Sequence, residues 1–243
     1  MSIAFVSEYF AALNAGNSTT TSVTQGASAT AGNALIALCG YFSAQSISSV
    51  SDSQENTYTQ RGSDLTVGGR KLRVYTAVAS ASNAITFTMT QGVSNNQGFV
   101  CLREITGAAA SPYDNIAQQQ QVSPGTGNDI LTSGNLTPNA QPGLLSIFGW
   151  NDSGAAWPAA GTIGTNTMVT TNGTAGNMGA GFVSSYKPVS SLSAVAGTFS
   201  LSSNGANTYG TIAVLLDQLA ISPGNIGPTP WQLQGGMATV VAS

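Results

Sequence analysis

Histidine is absent from this chain of 243 residues, and charged side chains make up only 6% of it. An average soluble domain has about a quarter of its residues charged. The absence of histidine excludes Ser-His-Asp and Cys-His catalytic pairs, and it excludes metal sites with histidine ligands. The net charge of −3 argues against a broad phosphate-binding face, so we do not expect nucleic acid as a partner.

Long apolar runs are also missing. No stretch approaches the roughly 20 apolar residues that a membrane-spanning helix needs, and no membrane partner is expected. The opening MSIAFVSEYFAALNAG lacks a basic stretch before a long apolar core, so it does not resemble a secretion signal. Hydrophobic residues still make up 42% of the chain, which favours a folded domain. Its polar but nearly uncharged surface would pack readily against another protein, because few charges need desolvating.

Cysteine occurs only twice, at Cys39 and Cys101, and each lies within an apolar, strand-like segment. Buried free thiols that pack as small hydrophobic side chains are one interpretation. A disulfide between neighbouring strands is the other. Neither residue has a second thiol nearby in sequence, so a metal or nucleophile role is not expected.

The stretch from Ala31 to Thr59 shows the fold class most clearly. The turn pair Gly32-Asn33 precedes the short apolar run LIALC, whose length is typical of a buried strand. Ile47 and Val50 continue the apolar side, and Asp52 to Asn56 form a polar hairpin tip. We therefore predict an all-β chain that folds as an antiparallel β-sandwich.

Other segments support this prediction. Residues 84–90 (AITFTMT) alternate between apolar and polar side chains, as a strand with one buried face does. Residues 64–69 are predicted to be a loop, and Ala108 to Pro112 are predicted to turn the chain away. The two halves resemble each other at an offset of about 110 residues, which fits either an old duplication or two similar strand sets in one sandwich.

The composition changes near the C-terminus, where residues 220–243 contain three prolines, four glycines and no charge. This density of proline and glycine disfavours a regular packed element. We predict a sandwich domain over residues 1–217 and an extended C-terminal arm over 218–243. The arm could lie on its own domain or on a neighbouring subunit, and its last residues favour a strand donated to another sheet edge. Its apolar side chains, which need a partner surface, are Ile226, Trp231, Leu233, Met237 and Val240.

Four of the six basic residues fall within one short segment, namely Arg61, Arg70, Lys71 and Arg73. They are a candidate interface for an acidic partner or a phosphate. The alternative is a solvated hairpin balanced by nearby carboxylates. The acidic tip around Asp52 and Glu55 lacks the spacing of a calcium loop, and no metal or other cofactor is expected.

An enzyme of glycan chemistry would need two carboxylates that converge, and no spacing in the sequence selects such a pair. Glu104 lies beside Arg103 on a strand, so these two side chains point to opposite faces. We predict no catalytic residues. Trp150 and Trp157 are the candidates for an aromatic sugar-binding platform, which is the basis of the alternative function below. The other acids available for a pair are Asp114, Asp129, Asp152 and Asp217.

Five short segments follow a recognisable pattern, namely Gly32-Asn33 with Leu35, Val50 to Thr59, Val74 to Ala77, Glu104 to Gly107 and Leu144 to Trp150. Together they resemble a sequence type of tailed-bacteriophage structural proteins and some bacterial surface proteins. Before the last segment, Pro142-Gly143 stands where that sequence type usually has an acidic pair. The resemblance covers roughly residues 18–217 and implies a jelly-roll-like domain without catalytic residues.

From these observations we expect a structural protein of a bacteriophage virion, located in the virion. It would decorate or cement a capsid, or cap a fibre, by binding neighbouring major capsid or fibre subunits. A homo-oligomer, such as a trimer at a local threefold axis, is expected of such a part. The alternative is a carbohydrate-binding or host-adhesion module of a tail fibre.

Overall fold

The computed structural model of the chain describes residues 2–12, 17–95, 98–123, 129–139, 143–151, 167–174, 181–201 and 207–218. These residues form β-strands and connecting turns. They include no helix long and apolar enough to cross a membrane. The fold class that the sequence predicts, an all-β antiparallel sandwich, is confirmed.

The strands divide into two consecutive sets. The N-terminal set is β1 (Ala4–Ala12), β2 (Ser18–Thr24), β3 (Ala34–Phe42), β4 (Ile47–Asp52), β5 (Thr59–Val67), β6 (Arg70–Val78), β7 (Thr86–Asn95) and β8 (Gly98–Thr106). The C-terminal set is β9 (Ala108–Ser123), β10 (Asp129–Leu136), β11 (Gly143–Asn151), β12 (Thr167–Thr174), β13 (Gly181–Val189), β14 (Val195–Leu201) and β15 (Asn207–Gln218).

Each set has the strand order of a jelly roll. In the N-terminal set, sheet A has the order β1-β8-β3-β6-β5 and sheet B the order β2-β7-β4. The first strand therefore pairs with the last, the second with the seventh and the third with the sixth, all antiparallel, which is the nested pairing of a jelly roll. The C-terminal set repeats this pairing in sheet C, with the order β9-β15-β11-β13-β12, and in sheet D, with the order β10-β14.

The four sheets stack in the order B, A, C, D and enclose three layers of core. Because side chains alternate along a strand, each strand of sheets A and C contributes to two layers. On β3, Leu35 packs between sheets A and B, whereas Leu38 packs between sheets A and C. On β11, Leu145 packs towards sheet D and Phe148 towards sheet A. Residues 1–217, predicted as one unit, thus contain two sandwiches that share a central core.

The faint similarity between the halves now has a structural basis. At the offset of about 110 residues, GNALIAL resembles PGLLSIF, AITFTMT resembles GTFSLSS, and GFVCLREITGAAASP resembles GTIAVLLDQLAISP. The described parts of these segments fall in β3 and β11, β7 and β14, and β8 and β15, which hold equivalent places in the two jelly rolls. Residues 219–243 lie outside the described residues. The boundary at 217 and the extended arm therefore stay predictions.

Both cysteines are buried and free. In the register of β3 and β8, Cys39 lies opposite Val100, and Cys101 lies opposite Leu38. The two thiols therefore point to opposite faces of sheet A, one into each adjoining core layer. This separation explains why they do not form a disulfide.

Two of the predicted irregular segments are strands instead. The predicted loop at residues 64–69 is wrong in its first part, because β5 continues to Val67 through a bulge between Arg61 and Leu65. Gly62 supplies the positive φ of 66° that this bulge uses. The predicted turn from Ala108 to Pro112 is also wrong, since β9 begins at Ala108 and Gly107 alone, with a φ of 69°, turns the chain.

Candidate functional site

The four basic residues of the β5–β6 hairpin do not form one patch. Arg61 lies opposite Val74, whose side chain enters the layer between sheets A and C. Arg73 lies opposite Cys39, which faces the other side of sheet A. Alternation puts Arg70 on the face of Arg61 and Lys71 on the face of Arg73. The predicted basic cluster is thus divided between the two faces of the sheet.

Arg73 has a fixed partner within the sheet. Its Nε donates to Asp64 Oδ1 at 2.6 Å and its Nη2 to Asp64 Oδ2 at 2.9 Å. Tyr41 donates its hydroxyl to the same carboxylate at 2.6 Å. Burial alone would raise the pKa of Asp64, but the hydrogen bonds from Arg73 and Tyr41 outweigh it and lower this pKa. The positive charge of Arg73 is thus paired within the fold and contributes little to a basic surface that a partner could bind.

Arg61 instead lines a cleft of about 620 Å³ at the junction of the two jelly rolls. One wall is the edge of sheet A at β5 and β6, and the other is the start of β9 with Pro112 and Tyr113. Most of the polar groups in the walls are hydroxyls. The lining residues that matter for its chemistry are Glu55, Thr57, Thr59, Ser80 and Ser111.

The guanidinium of Arg61 is held from two sides. Its Nε donates to Thr76 Oγ1 at 2.7 Å, and its Cζ lies 4.0 Å from the centroid of the Tyr113 ring. Within the described part of the chain, its terminal nitrogens Nη1 and Nη2 have no hydrogen-bond acceptor. Arg61 therefore presents a fixed pair of charged donors at the cleft, a geometry suited to a carboxylate or phosphate.

The acidic hairpin tip is a tight turn held by the carboxylate of Asp52. Asp52 Oδ1 accepts hydrogen bonds from the backbone nitrogens of Gln54 and Asn56, and Oδ2 accepts from Asn56 Nδ2 and the Tyr58 hydroxyl. Glu55 takes a φ of 57°, as the tight turn requires. Among the described residues, no group of three Cys, Asp or Glu side chains is placed to hold a metal ion.

Two buried carboxylates have structural partners. Glu104 faces sheet B, where its Oε1 accepts from Asn33 Nδ2 at 2.6 Å and from the backbone nitrogen of Thr30 at 2.9 Å. Arg103 points the other way and pairs with Glu8 at 2.6 Å between sheets A and C. The prediction that Arg103 and Glu104 point to opposite faces is confirmed.

Of the acids named from the sequence, the structure brings Asp114 and Asp217 together. Burial raises the pKa of Asp217, and the charge and a hydrogen bond of the neighbouring Asp114 carboxyl raise it further. Asp114 also accepts hydrogen bonds from the backbone and side chain of Asn139. Neither acid lines the cleft of Arg61. Asp152 and the side chain of Asp129 lie outside the described residues.

The sugar-binding role predicted for Trp150 is wrong, because this side chain has 0% of its surface exposed. Its indole stacks on Phe99 at 4.6 Å between ring centroids, in the core between sheets A and C. A buried ring offers no face to a sugar. Trp157 lies outside the described residues. So do the arm residues Ile226, Trp231, Leu233, Met237 and Val240.

Sheet B carries an uncharged hydroxyl face towards solvent. The alternation predicted for residues 84–90 is confirmed, since Ile85, Phe87 and Met89 are fully buried. On the outer face, Ser22 and Thr88 share a hydrogen bond of 2.8 Å, and Thr24 and Thr86 one of 2.9 Å. The adjoining positions of this face are Thr20, Ser49, Ser51 and Thr90.

Comparison with known proteins adds no further information, because the chain matches no protein-family model, no curated protein and no solved structure. Sequence reasoning singled out Arg61 but missed its partners Thr76 and Tyr113. Tyr113 belongs to the second jelly roll, and only the packing of the two halves brings it to Arg61. No spacing in the sequence indicates that contact.

Proposed function

We propose that this protein is a non-catalytic structural component of a bacteriophage virion, which cements or decorates the particle by binding neighbouring virion subunits. The observation that carries the proposal is that many of the described charged side chains are buried or paired within the fold. Of the few charged residues, Glu8, Arg103 and Glu104 are sequestered in the core, and Asp64 pairs with Arg73. The exposed faces are left even less charged than the composition suggests.

A surface of this kind suits permanent contact with other proteins. On the outer face of sheet B, the exposed side chains of Ser22, Thr24, Ser49 and Ser51 carry hydroxyl groups and no charge. Burying hydroxyl groups against a polar partner costs less free energy than burying charges. Binding to the assembled lattice, and not to free subunits, would stabilise the particle by mass action.

The fold adds support by analogy. Jelly rolls occur in viral capsid proteins and in lectins, so the architecture is compatible with a virion role without demonstrating one. Two jelly rolls that share one core make a rigid block. Such a block can span neighbouring subunits, and closed symmetry would be expected of its assemblies.

The positions of the carboxylates favour a binding role over hydrolysis. Asp52 holds a turn, Asp64 pairs with Arg73, and Glu8 and Glu104 are buried against fixed partners. Hydrolysis of a glycan would need two carboxyl groups flanking a bond in an open cleft. In the cleft of Arg61, Glu55 is the one carboxylate among the described residues.

The second candidate function is a host-adhesion module that binds a glycan. The cleft of Arg61 favours it, whereas the burial of Trp150 removes one of its two predicted aromatic contacts. This candidate is compatible with a virion location, because attachment proteins are part of the particle.

The proposal is tested on particles. Virions purified from the cells that produce this chain are analysed by mass spectrometry and by immunogold labelling against the purified protein. We expect the chain at a fixed ratio to the major capsid protein, with label at regular positions on the particle. Its absence from purified particles would contradict the proposal.

The role of the arm is tested separately, through the mass in solution of the full-length protein and of a form cut after Asp217. An oligomer that becomes a monomer on truncation would identify the arm as an intersubunit contact. An oligomer that survives truncation would place the contact on the jelly rolls and contradict the arm prediction.

A further inference from the structure

The cleft of Arg61 has the features of a prepared binding site. The contacts with Thr76 and Tyr113 fix the guanidinium before any ligand arrives. An arginine fixed in this way loses little side-chain entropy on binding, so more of the interaction energy appears as affinity. The volume of about 620 Å³ is in the usual range of small-molecule sites, which also occur preferentially between packed units.

The charges at the cleft limit which anions fit. Arg61 is the one cation among the lining residues, and the exposed carboxylate of Glu55 lies in the same cleft. A polyanion such as nucleic acid would be repelled by Glu55 and would find a single partner. A ligand with one compact anionic group is therefore favoured.

The remaining walls indicate what else the ligand carries. Thr57, Thr59 and Ser111 supply hydroxyl groups that can both donate and accept a hydrogen bond, and the Ser80 hydroxyl, which donates to the backbone carbonyl of Gln54, can accept one. All four side chains are exposed, so an aliphatic acid would displace water from them without replacing its hydrogen bonds, which lowers affinity. A ring with several hydroxyl groups would replace those hydrogen bonds, and Glu55 can accept from one more.

We propose that this cleft binds an acidic sugar, whose carboxylate pairs with the terminal nitrogens of Arg61 while its hydroxyl groups bond to the threonine and serine side chains. A mono- or disaccharide fits the volume. This site is independent of the cementing role, because it needs no contact with another virion subunit. It gives a jelly-roll protein of this kind a means of holding a glycan.

The first experiment uses the full-length protein labelled with nitrogen-15, titrated with glucuronate, glucose and acetate and followed by NMR. Glucose has the same ring without the carboxylate, and acetate has the carboxylate without the ring. We expect glucuronate to bind at least about tenfold more tightly than glucose, which lacks the charge-assisted bidentate contact with Arg61, and at least about tenfold more tightly than acetate, which lacks the hydrogen bonds of the ring hydroxyl groups. The backbone signals of Thr57, Thr59, Ser80 and Ser111 should shift.

The second experiment compares Arg61→Gln with Lys71→Gln. Both variants remove one positive charge from the same hairpin, but Lys71 does not line the cleft. Arg61→Gln should weaken glucuronate binding at least about tenfold, and Lys71→Gln should leave it within about twofold. Glucuronate that binds no more tightly than acetate would overturn the sugar assignment. Signal shifts of the wild-type protein confined to other regions would overturn the site, whatever the folding of the variants.

Discussion

Arg103 Nη2 lies 2.6 Å from Glu8 Oε2, with 0% and 1% of the two side chains exposed. The pair lies at the junction of the jelly rolls, because Arg103 also donates to the backbone carbonyl of Ser185 at 2.8 Å and Ser184 donates to Glu8 at 2.5 Å. The guanidinium further packs over the Phe148 ring. One ion pair of the first jelly roll is thus completed by groups of the second.

Removal of one member of this pair should therefore destabilise the fold. Arg103→Met leaves the Glu8 carboxylate buried without its partner, and we expect the free energy of unfolding to fall by about 3–5 kcal/mol. The measurement is equilibrium unfolding in urea. The double variant Glu8→Gln with Arg103→Met removes both charges and should be more stable than Arg103→Met alone. Equal stability of the two variants would contradict an uncompensated charge as the cause.

The position of this pair shows what the sequence could and could not predict. Alternation along FVCLREI correctly put Arg103 and Glu104 on opposite faces. It could not show that both side chains would be buried, because their partners Glu8 and Asn33 are distant in sequence. Both side chains are buried because a further sheet packs against each face of sheet A. That arrangement depends on the packing of all four sheets.

The sequence predicted individual strands of the fold better than their pairing. Local turn chemistry and apolar alternation located β3 and the first part of β7, although β7 continues to Asn95, five residues beyond the predicted segment. They failed at β5, where the glycine and polar residues around Asp64 resemble a loop but form a bulged edge strand. They also missed that each half closes into its own jelly roll, since pairings such as β1 with β8 join segments far apart in sequence.

Gly40 on β3 offers a test of the central core. A Cβ at this position would lie 1.8 Å from Phe99 Cε1, and Phe99 in turn stacks on Trp150. We expect Gly40→Ala to lower the free energy of unfolding by about 1–3 kcal/mol, because the ring must move within a packed layer. Thermal or urea unfolding measures the change.

The matched control for this test is Gly69→Ala in the β5–β6 turn. Its added Cβ would meet no atom nearer than Phe42 Cε2 at 3.8 Å, which is ordinary van der Waals contact. The change in stability should stay within about 0.5 kcal/mol. Because Gly→Ala lowers the entropy of the unfolded chain and does not by itself destabilise the fold, an equally large loss at both positions would contradict the contact with Phe99 as the cause.

The thiols should be unreactive in the folded protein. Cys39 and Cys101 are fully buried, and burial raises the pKa of both thiols, so little thiolate forms at neutral pH. We expect a thiol reagent such as Ellman's reagent to modify neither residue in buffer and both in concentrated denaturant. Rapid modification of the native protein would contradict the placement of the cysteines in separate core layers.

The carboxyl pair of Asp114 and Asp217 should make stability depend on pH. Because burial and Asp114 raise the pKa of Asp217 in the folded state, its stabilising contribution is complete below the unfolded pKa of about 3.9. That contribution is lost as the pH rises through the folded pKa. Asp217→Asn should therefore melt above the wild type at pH 7 and close to it at pH 3. A melting difference that is the same at both pH values would contradict this.

Asp64 should behave in the opposite way, which makes it an internal control. Hydrogen bonds from Arg73 and Tyr41 outweigh burial and lower its pKa, so its contribution is present above the unfolded pKa and is lost as the pH falls through the folded one. Asp64→Asn should thus melt below the wild type at pH 7, and the gap should narrow towards pH 2. The pair is partly exposed, so added salt should also narrow the gap at pH 7. A gap that widens on acidification would mean that Asp64 is stabilised in its protonated form, contrary to the geometry of the pair with Arg73.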